Sequence, residues 1–273
     1  MGSVNNGERI GRGKYRCEYI TVKFFECGYF DVPTFTIQGE SRVKKTIYLL
    51  NINEYAPEVT KLTYPFIRCY ADKIGANIQI ITERKFPDMP ITYEKMQIFN
   101  LAKENGSDWN IYLDSDALVH PEFLDFTSHL NKDTVCCFGR DEADGRWRMD
   151  EPFLRDGRHI GWGNWFAVAS DWCLDLWSPL DITLAQALEN IRPTPTELKA
   201  GVTREHLIDD YTLSRNVARF GLKFKTARQI YKENGLDNLL VQHQYTLSMQ
   251  EQAKSHMKLI LEWNVEDYLT KWS

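Results

Sequence analysis

The rhythm of apolar positions becomes regular at residue 46. The segment 46–51 (TIYLLN) is a short, nearly unbroken apolar run, the mark of a strand buried on both faces. Val59, Leu62, Phe66, Tyr70 and Ile74 then recur at helical spacing, and Gly75 supplies the left-handed residue that closes such a helix. The run 77–82 (NIQIIT) predicts a second strand, and 93–105 a second helix with Gly106 after it. The run 109–113 (WNIYL) predicts a third strand that ends directly at Asp114. The order from residue 46 is β-α-β-α-β, which implies a parallel sheet with helices on its faces. Ligands of such sheets sit beyond the carboxyl ends of the strands, where Asp114-Ser115-Asp116 lies.

Upstream, 15–38 is rich in Tyr, Phe, Val, Ile and Thr and predicts two or three short strands, broken near Gly28 and Pro33. Downstream, the pattern predicts a helix over 121–130, a strand over 134–138, a strand over 165–169 and a helix over 171–177. Between them, 141–158 is charged and rich in Gly and Arg, a long loop of the kind that is usually functional. A Pro/Thr-rich connector over 191–201 precedes a helix over 205–220 and a strand over 222–226, and 246–263 is helical and amphipathic.

Composition narrows the function. The 273 residues are 43% hydrophobic, enough for one large α/β domain or two small ones. The net charge of −5 exerts no overall pull on nucleic acid. No run of about 18 apolar residues occurs, so no membrane span is expected. Nor does the sequence show a secretory signal. The expected location is the cytoplasm; the alternative is part of an anchored chain cut from its anchor. Cys17, Cys27, Cys69, Cys136, Cys137 and Cys173 form no C-x-x-C pair and read as free thiols.

Two carboxylates two residues apart at a strand end converge once the chain turns, and unpaired they repel. A hard divalent cation, Mn2+ or Mg2+, removes that conflict and offsets charge on a departing diphosphate. The plainer alternative has Asp114 opening a turn and Asp116 capping a helix.

The segment 109–119 (WNIYLDSDALV) resembles the GT-A glycosyltransferases with their D-x-D motif. More closely it is similar to the galactosyl-, mannosyl- and xylosyltransferase family of the yeast and plant Golgi, which also has soluble viral and bacterial fold relatives. Segment 163–180 (GNWFAVASDWCLDLWSPL) resembles the family's strand with Asn and aromatic residues followed by a Trp-containing helix and a W-x-P turn. Segment 208–213 (IDDYTL) is similar to its acidic helix start, and His243 stands where the family places a late metal-binding histidine. After it the family shows a Gly and a basic residue on the diphosphate; here Gln244-Tyr245-Thr246 follow.

The resemblance implies a Rossmann-like GT-A fold, α/β with a mixed, mostly parallel sheet flanked by helices. It implies a catalytic domain over 41–273 behind a β-rich appendage over 1–40, with a nucleotide-binding half over 46–119 and an acceptor-side half over 120–273. The implied metal ligands are Asp114, Asp116 and His243; the donor is a nucleotide sugar, expected to be a UDP-sugar, and the acceptor a glycan. Asn51 and Asn53 are expected on the nucleotide, or as helix caps. Lys95 faces the donor or solvent, and Ser115 belongs to the donor site with Asp114 and Asp116.

Asp209 and Asp210 are adjacent and point to different sides of a helix; Asp210 is expected to face the sugar. It would hold sugar hydroxyls in a retaining enzyme, toward which the resemblance leans, or be the general base in an inverting one. Trp162, Asn164 and Trp165 are expected on the acceptor, with core packing as the alternative for the tryptophans. Arg146, Arg148, Arg155, Arg158 and His159 clamp phosphate or pair with the acidic residues of their own loop. Three rival classes remain. A haloacid-dehalogenase-type phosphatase would use Asp114 as nucleophile, but its D-x-D follows the first strand. A sugar nucleotidyltransferase needs a Gly-rich loop where Asn51-Ile52-Asn53-Glu54-Tyr55 stands. A non-catalytic carbohydrate-binding protein would have no use for intact Asp114 and Asp116.

Overall fold

Strand β1 (Lys45–Leu50) is buried along its middle and pairs in parallel with both β2 (Ala76–Ile81) and β3 (Trp109–Leu113), Lys45 lying opposite both Ala76 and Trp109. The computed structural model describes residues 43–139, 164–236, 241–244 and 246–263; the expected strands of 15–38, the loop 141–158, His159 and Trp162 lie outside the described residues. The crossover from β1 to β2 is α1 (Pro57–Ile74), with Pro57 in the first turn, where its missing N–H is harmless, and Gly75 at φ 68° ending it. The crossover from β2 to β3 is a 3-10 helix (Ile91–Gln97) running into α2 (Ile98–Asn105).

Beyond β3 come β4 (Leu118–Val119), β5 (Thr134–Cys137), β6 (Phe166–Ser170), β7 (Lys223–Thr226) and β8 (Val241–Gln242). Among the described residues, six strands form one sheet in the order β2-β1-β3-β6-β5-β7, while β4 and β8 pair apart from it. Only β6 opposes its neighbours β3 and β5; the other five strands run one way. The sheet is mixed and mostly parallel, flanked by helices, as the sequence predicts.

Side chains alternate faces along each strand and so build two cores. Tyr48, Tyr112, Val135, Cys137 and Ala167 pack toward α2 and α5 (Ile208–Phe220) with the wholly buried Trp177. Ile47, Leu49, Ile111, Leu113, Cys136 and Val168 pack toward α1 and α6 (Ala227–Glu233).

Several elements depart from the sequence pattern. Segment 121–130 is not a helix; only Phe126–Ser128 makes a 3-10 turn. Side chains take the backbone groups a helix would need: the Asp125 carboxylate accepts from the Thr127 N–H, the Leu124 carbonyl accepts from Tyr70, and the Leu124 N–H donates to Tyr231. Asp171–Trp177 is a 3-10 helix broken at Cys173 rather than an α-helix. Short helices form where none was expected: α3 (Leu184–Glu189), α4 (Pro195–Lys199) inside the supposed connector, and α6. Each starts on a reciprocal capping box: Thr183 with Gln186, Thr194 with Glu197, Thr226 with Gln229.

The last helix, α7 (Met249–Glu262), opens on a fourth such box, Ser248 with Glu251. Its Leu259 and Ile260, with Trp263 just beyond, pack on Phe66 of α1 and on Leu118. Among the described residues, no helix is long and apolar enough to cross a membrane.

Candidate metal centre

The β3–β6 ladder extends one step past the strand, because the Asp114 N–H donates to the Trp165 carbonyl at 2.8 Å. There the chain turns: the Ala117 N–H donates back to the Asp114 carbonyl at 3.0 Å. Ser115 pins the turn from below. Its hydroxyl donates to the Leu50 carbonyl at 2.9 Å, and its own carbonyl accepts from Thr63 at 2.5 Å. With Ser115 buried beneath, the flanking carboxylates of Asp114 and Asp116 emerge on the same side. Pairing of β4 with β8, Val119 opposite Val241, then delivers the next residue but one, His243, to the same place.

His243 Nε2 lies 3.4 Å from Asp114 Oδ2 and 3.4 Å from Asp116 Oδ1. One ligand atom from each of the three residues falls within 4.8 Å of the others. The remaining carboxylate oxygens are engaged by fixed donors. Asp114 Oδ1 meets Lys95 Nζ at 3.1 Å and accepts from the Tyr112 hydroxyl. Asp116 Oδ2 accepts from Gln252 at 3.2 Å and from the Tyr55 hydroxyl at 3.5 Å. Each aspartate thus presents one oxygen to the centre and spends the other on its scaffold.

The protonation pattern follows from this crowding. Burial works to raise Asp116, but the hydrogen bond and charge of His243 outweigh it and hold the carboxyl at about 2. Burial works to lower His243, yet Asp116, and then Asp114, prevail and raise it. Burial likewise disfavours a charged Lys95, but Asp114 and Asp209 overcome it and raise its pKa. Burial, then the charge of Asp114, push Tyr112 far up, so its hydroxyl keeps the proton it donates.

A divalent cation fits this donor set. Two carboxylate oxygens and an imidazole nitrogen face one another, and a cation set among them would offset the same carboxylate charge that raises His243.

Of the other residues expected at the site, the structure sets Lys95 on Asp114, Asp209 on Lys95 and Trp165 on His243. Asn51 directly follows β1; its amide donates to Tyr64 at 2.8 Å, and its buried Oδ1 has no hydrogen-bond partner among the described residues. Asn53 is exposed in a turn with φ 56°. Neither caps α1, whose N-cap is Ala56, so the capping alternative fails for both. Asp116 caps no helix either, since the chain continues into β4.

Lys95 is no surface lysine: it is 3% exposed and also meets Asp209 Oδ2 at 2.6 Å. Asp209 and Asp210 do point apart. Asp209 is fully buried on Lys95, whereas Asp210 accepts from the Asn164 N–H at 3.0 Å. Trp165 is buried and stacks on His243, ring centres 5.2 Å apart, with Phe138 tilted against it at 4.0 Å. Trp165 thus packs among buried side chains and also lines one side of the candidate cation centre.

Tyr55, Tyr112, Gln252 and His256 escaped the sequence reading. Tyr112 was detectable as the residue two before Asp114 on a strand, hence on the same face. Gln252 and His256 are four apart on an amphipathic helix, a polar pair set on its inward face.

Fold and site together define a mixed α/β domain with a candidate Asp-Asp-His cation centre at the carboxyl end of a central strand. No protein-family model matches the chain, and no curated protein matches it. Among solved structures it is similar to a glycosyltransferase involved in the glycosylation of the major capsid of PBCV-1, at 14% identity and a TM-score of 0.47, over 78% of this chain and 98% of that one. That likeness is too loose to bear on chemistry.

Proposed function

We propose that this chain is a divalent-cation-dependent glycosyltransferase that moves a sugar from a nucleotide sugar, a UDP-sugar, to a glycan acceptor with retention of configuration. The observation that carries the reading is the convergence of Asp114, Asp116 and His243 where a buried parallel strand ends. In this reading those three residues hold Mn2+ or Mg2+, which when bound would neutralise diphosphate oxygens and the charge on a departing nucleoside diphosphate.

The chain's own groups divide the remaining work. Lys95 and Tyr112 hold Asp114 so that Oδ2 faces the centre, and Asp209 keeps Lys95 in place. The unpartnered Oδ1 of Asn51 is an acceptor for a base or ribose donor at the carboxyl end of β1, with Asn53 beside it. Asp210, tied to the Asn164 backbone, holds sugar hydroxyls; Asn164 and Trp165, with Trp162, form the acceptor side. The nucleotide-binding half is 46–119 and the acceptor-side half 120–273.

The test is turnover of a panel of nucleotide sugars with and without Mn2+, on the wild-type chain and on Asp116→Ala. Cation-dependent turnover lost in the variant is expected; turnover unchanged by either manipulation ends the reading. Product configuration by NMR fixes the role of Asp210: inversion would make it the general base. Turnover of phosphate esters instead of nucleotide sugars would favour a phosphatase with Asp114 as nucleophile.

A further inference from the structure

The half of α7 that packs beside the metal centre is buried through polar side chains. Gln252 is 1% exposed and His256 fully buried. A helix docked only to complete a core would place apolar side chains there, since buried polar groups cost free energy unless they are bonded. These two are bonded, and their bonds converge on one ligand residue. Gln252 Nε2 donates to the Asp116 carbonyl at 3.3 Å and to its Oδ2 at 3.2 Å. His256 Nε2 donates to the same carbonyl at 2.9 Å. Asp116 is therefore held at its backbone and at one carboxylate oxygen, and the other oxygen is left facing His243.

The second ring nitrogen of His256 adds a longer link. Nδ1 faces the side-chain amide of Gln242, 3.0 Å from its Oε1, and Gln242 is the residue just before His243. One imidazole thus spans the two chain segments that carry the ligands. Those segments are 127 positions apart, from 116 to 243, and their backbones are joined here by the two-residue pairing of β4 with β8.

We propose that α7 is a working part of the cation centre: Gln252 and His256 are positioning residues that orient Asp116 and set its separation from His243, so that cation binding and docking of the C-terminal helix reinforce each other. The proposal rests on the cation reading above and goes beyond it by tying an element outside the central sheet to that site. Groups of this kind, one bond removed from the ligands, typically change metal affinity about 10- to 100-fold when lost.

The experiment is a Mn2+ titration followed by electron paramagnetic resonance on the wild-type chain, His256→Phe, Gln252→Met and, as a control, Lys258→Ala on the exposed side of α7. The two test variants keep bulk and remove the hydrogen bonds; circular dichroism checks their folding. Expected are an affinity about 10- to 100-fold weaker and a changed spectrum of the bound ion in both, with the control unchanged. A merely structural role would lower the melting temperature but leave affinity and spectrum of the folded fraction as in the wild type, and that result overturns the proposal. Hydrogen exchange on the wild-type chain gives a reading that needs no variant: α7 amides should exchange more slowly with Mn2+ bound, and equal rates count against the coupling. Should the wild-type chain itself bind no cation, it is the underlying function that fails.

Discussion

Lys95 shows what a buried charge demands of its neighbours. Held between Asp114 and Asp209, it stays charged only because both carboxylates face it. Lys95→Met should cost about 3–5 kcal/mol in chemical denaturation, because it strands Asp209 in the core without a counter-charge. Adding Asp209→Leu should restore much of that stability without restoring activity, since Asp114 would still lack its guide. Two single variants that prove additive would show that the pair is not coupled.

The His243–Asp116 pair gives the pH dependence. Asp116 is held at about 2, below its ordinary 3.8, so its contribution to stability is present above about 3.8 and fades as pH falls through about 2. His243 is raised, so its contribution is complete below its ordinary 6.5 and fades as pH rises through the raised value. The metal-free pair is strongest between those limits. A cation must displace the His243 proton, so Mn2+ affinity should climb as pH rises past 6.5. A flat affinity between about pH 6 and 8 would remove His243 from the ligand set.

At the scale of elements, the link from β1 to α1 is under local strain. Asn53, Glu54 and Ala56 all have left-handed backbone angles, with φ of 56°, 52° and 49°. Asn tolerates that region, while Ala pays about 1–2 kcal/mol for it. Ala56→Gly should therefore stabilise the chain by about 0.5–1 kcal/mol in thermal or urea melts, the relief being partly offset by a more flexible unfolded state. A loss of stability would mean that the angles are not strained. The same link carries Tyr55, whose hydroxyl reaches Asp116, so strain here sits beside the centre. The departures at 121–130 and in the short helices share a cause: single side chains, Asp125 in one place and paired Thr and Gln or Glu in the others, decided the backbone over about one turn.

For the molecule as a whole, the centre is a clasp. It joins the end of β3, the β8 segment and α7, which are far apart in sequence. A cation bound only by the folded chain must raise its stability, by about 2.7 kcal/mol at a hundredfold excess over Kd. The melting temperature should rise with Mn2+ and return to the metal-free value with a chelator; Asp116→Asn should abolish the response. A chain whose melting ignores Mn2+ has no such clasp.

The local pattern was enough to determine the βαβαβ half. Strands at 46–51, 77–82 and 109–113 and the helix glycines Gly75 and Gly106 lie where periodicity places them, because a strand buried on both faces and an amphipathic helix each write their burial directly into residue spacing. The same reasoning brought Asp114 and Asp116 to a strand end. What spacing cannot record is which distant groups meet there. That Lys95 is a buried counter-charge, that Asp209 rather than Asp210 takes it, that Trp165 stacks on His243, and that Gln252 and His256 brace Asp116 were decided only in three dimensions. Hydrogen bonds and ion pairs reach about 3 Å through space with no periodic trace along the chain. Only the packing of α7 on α1 and the pairing of β8 with β4 bring their partners within that reach.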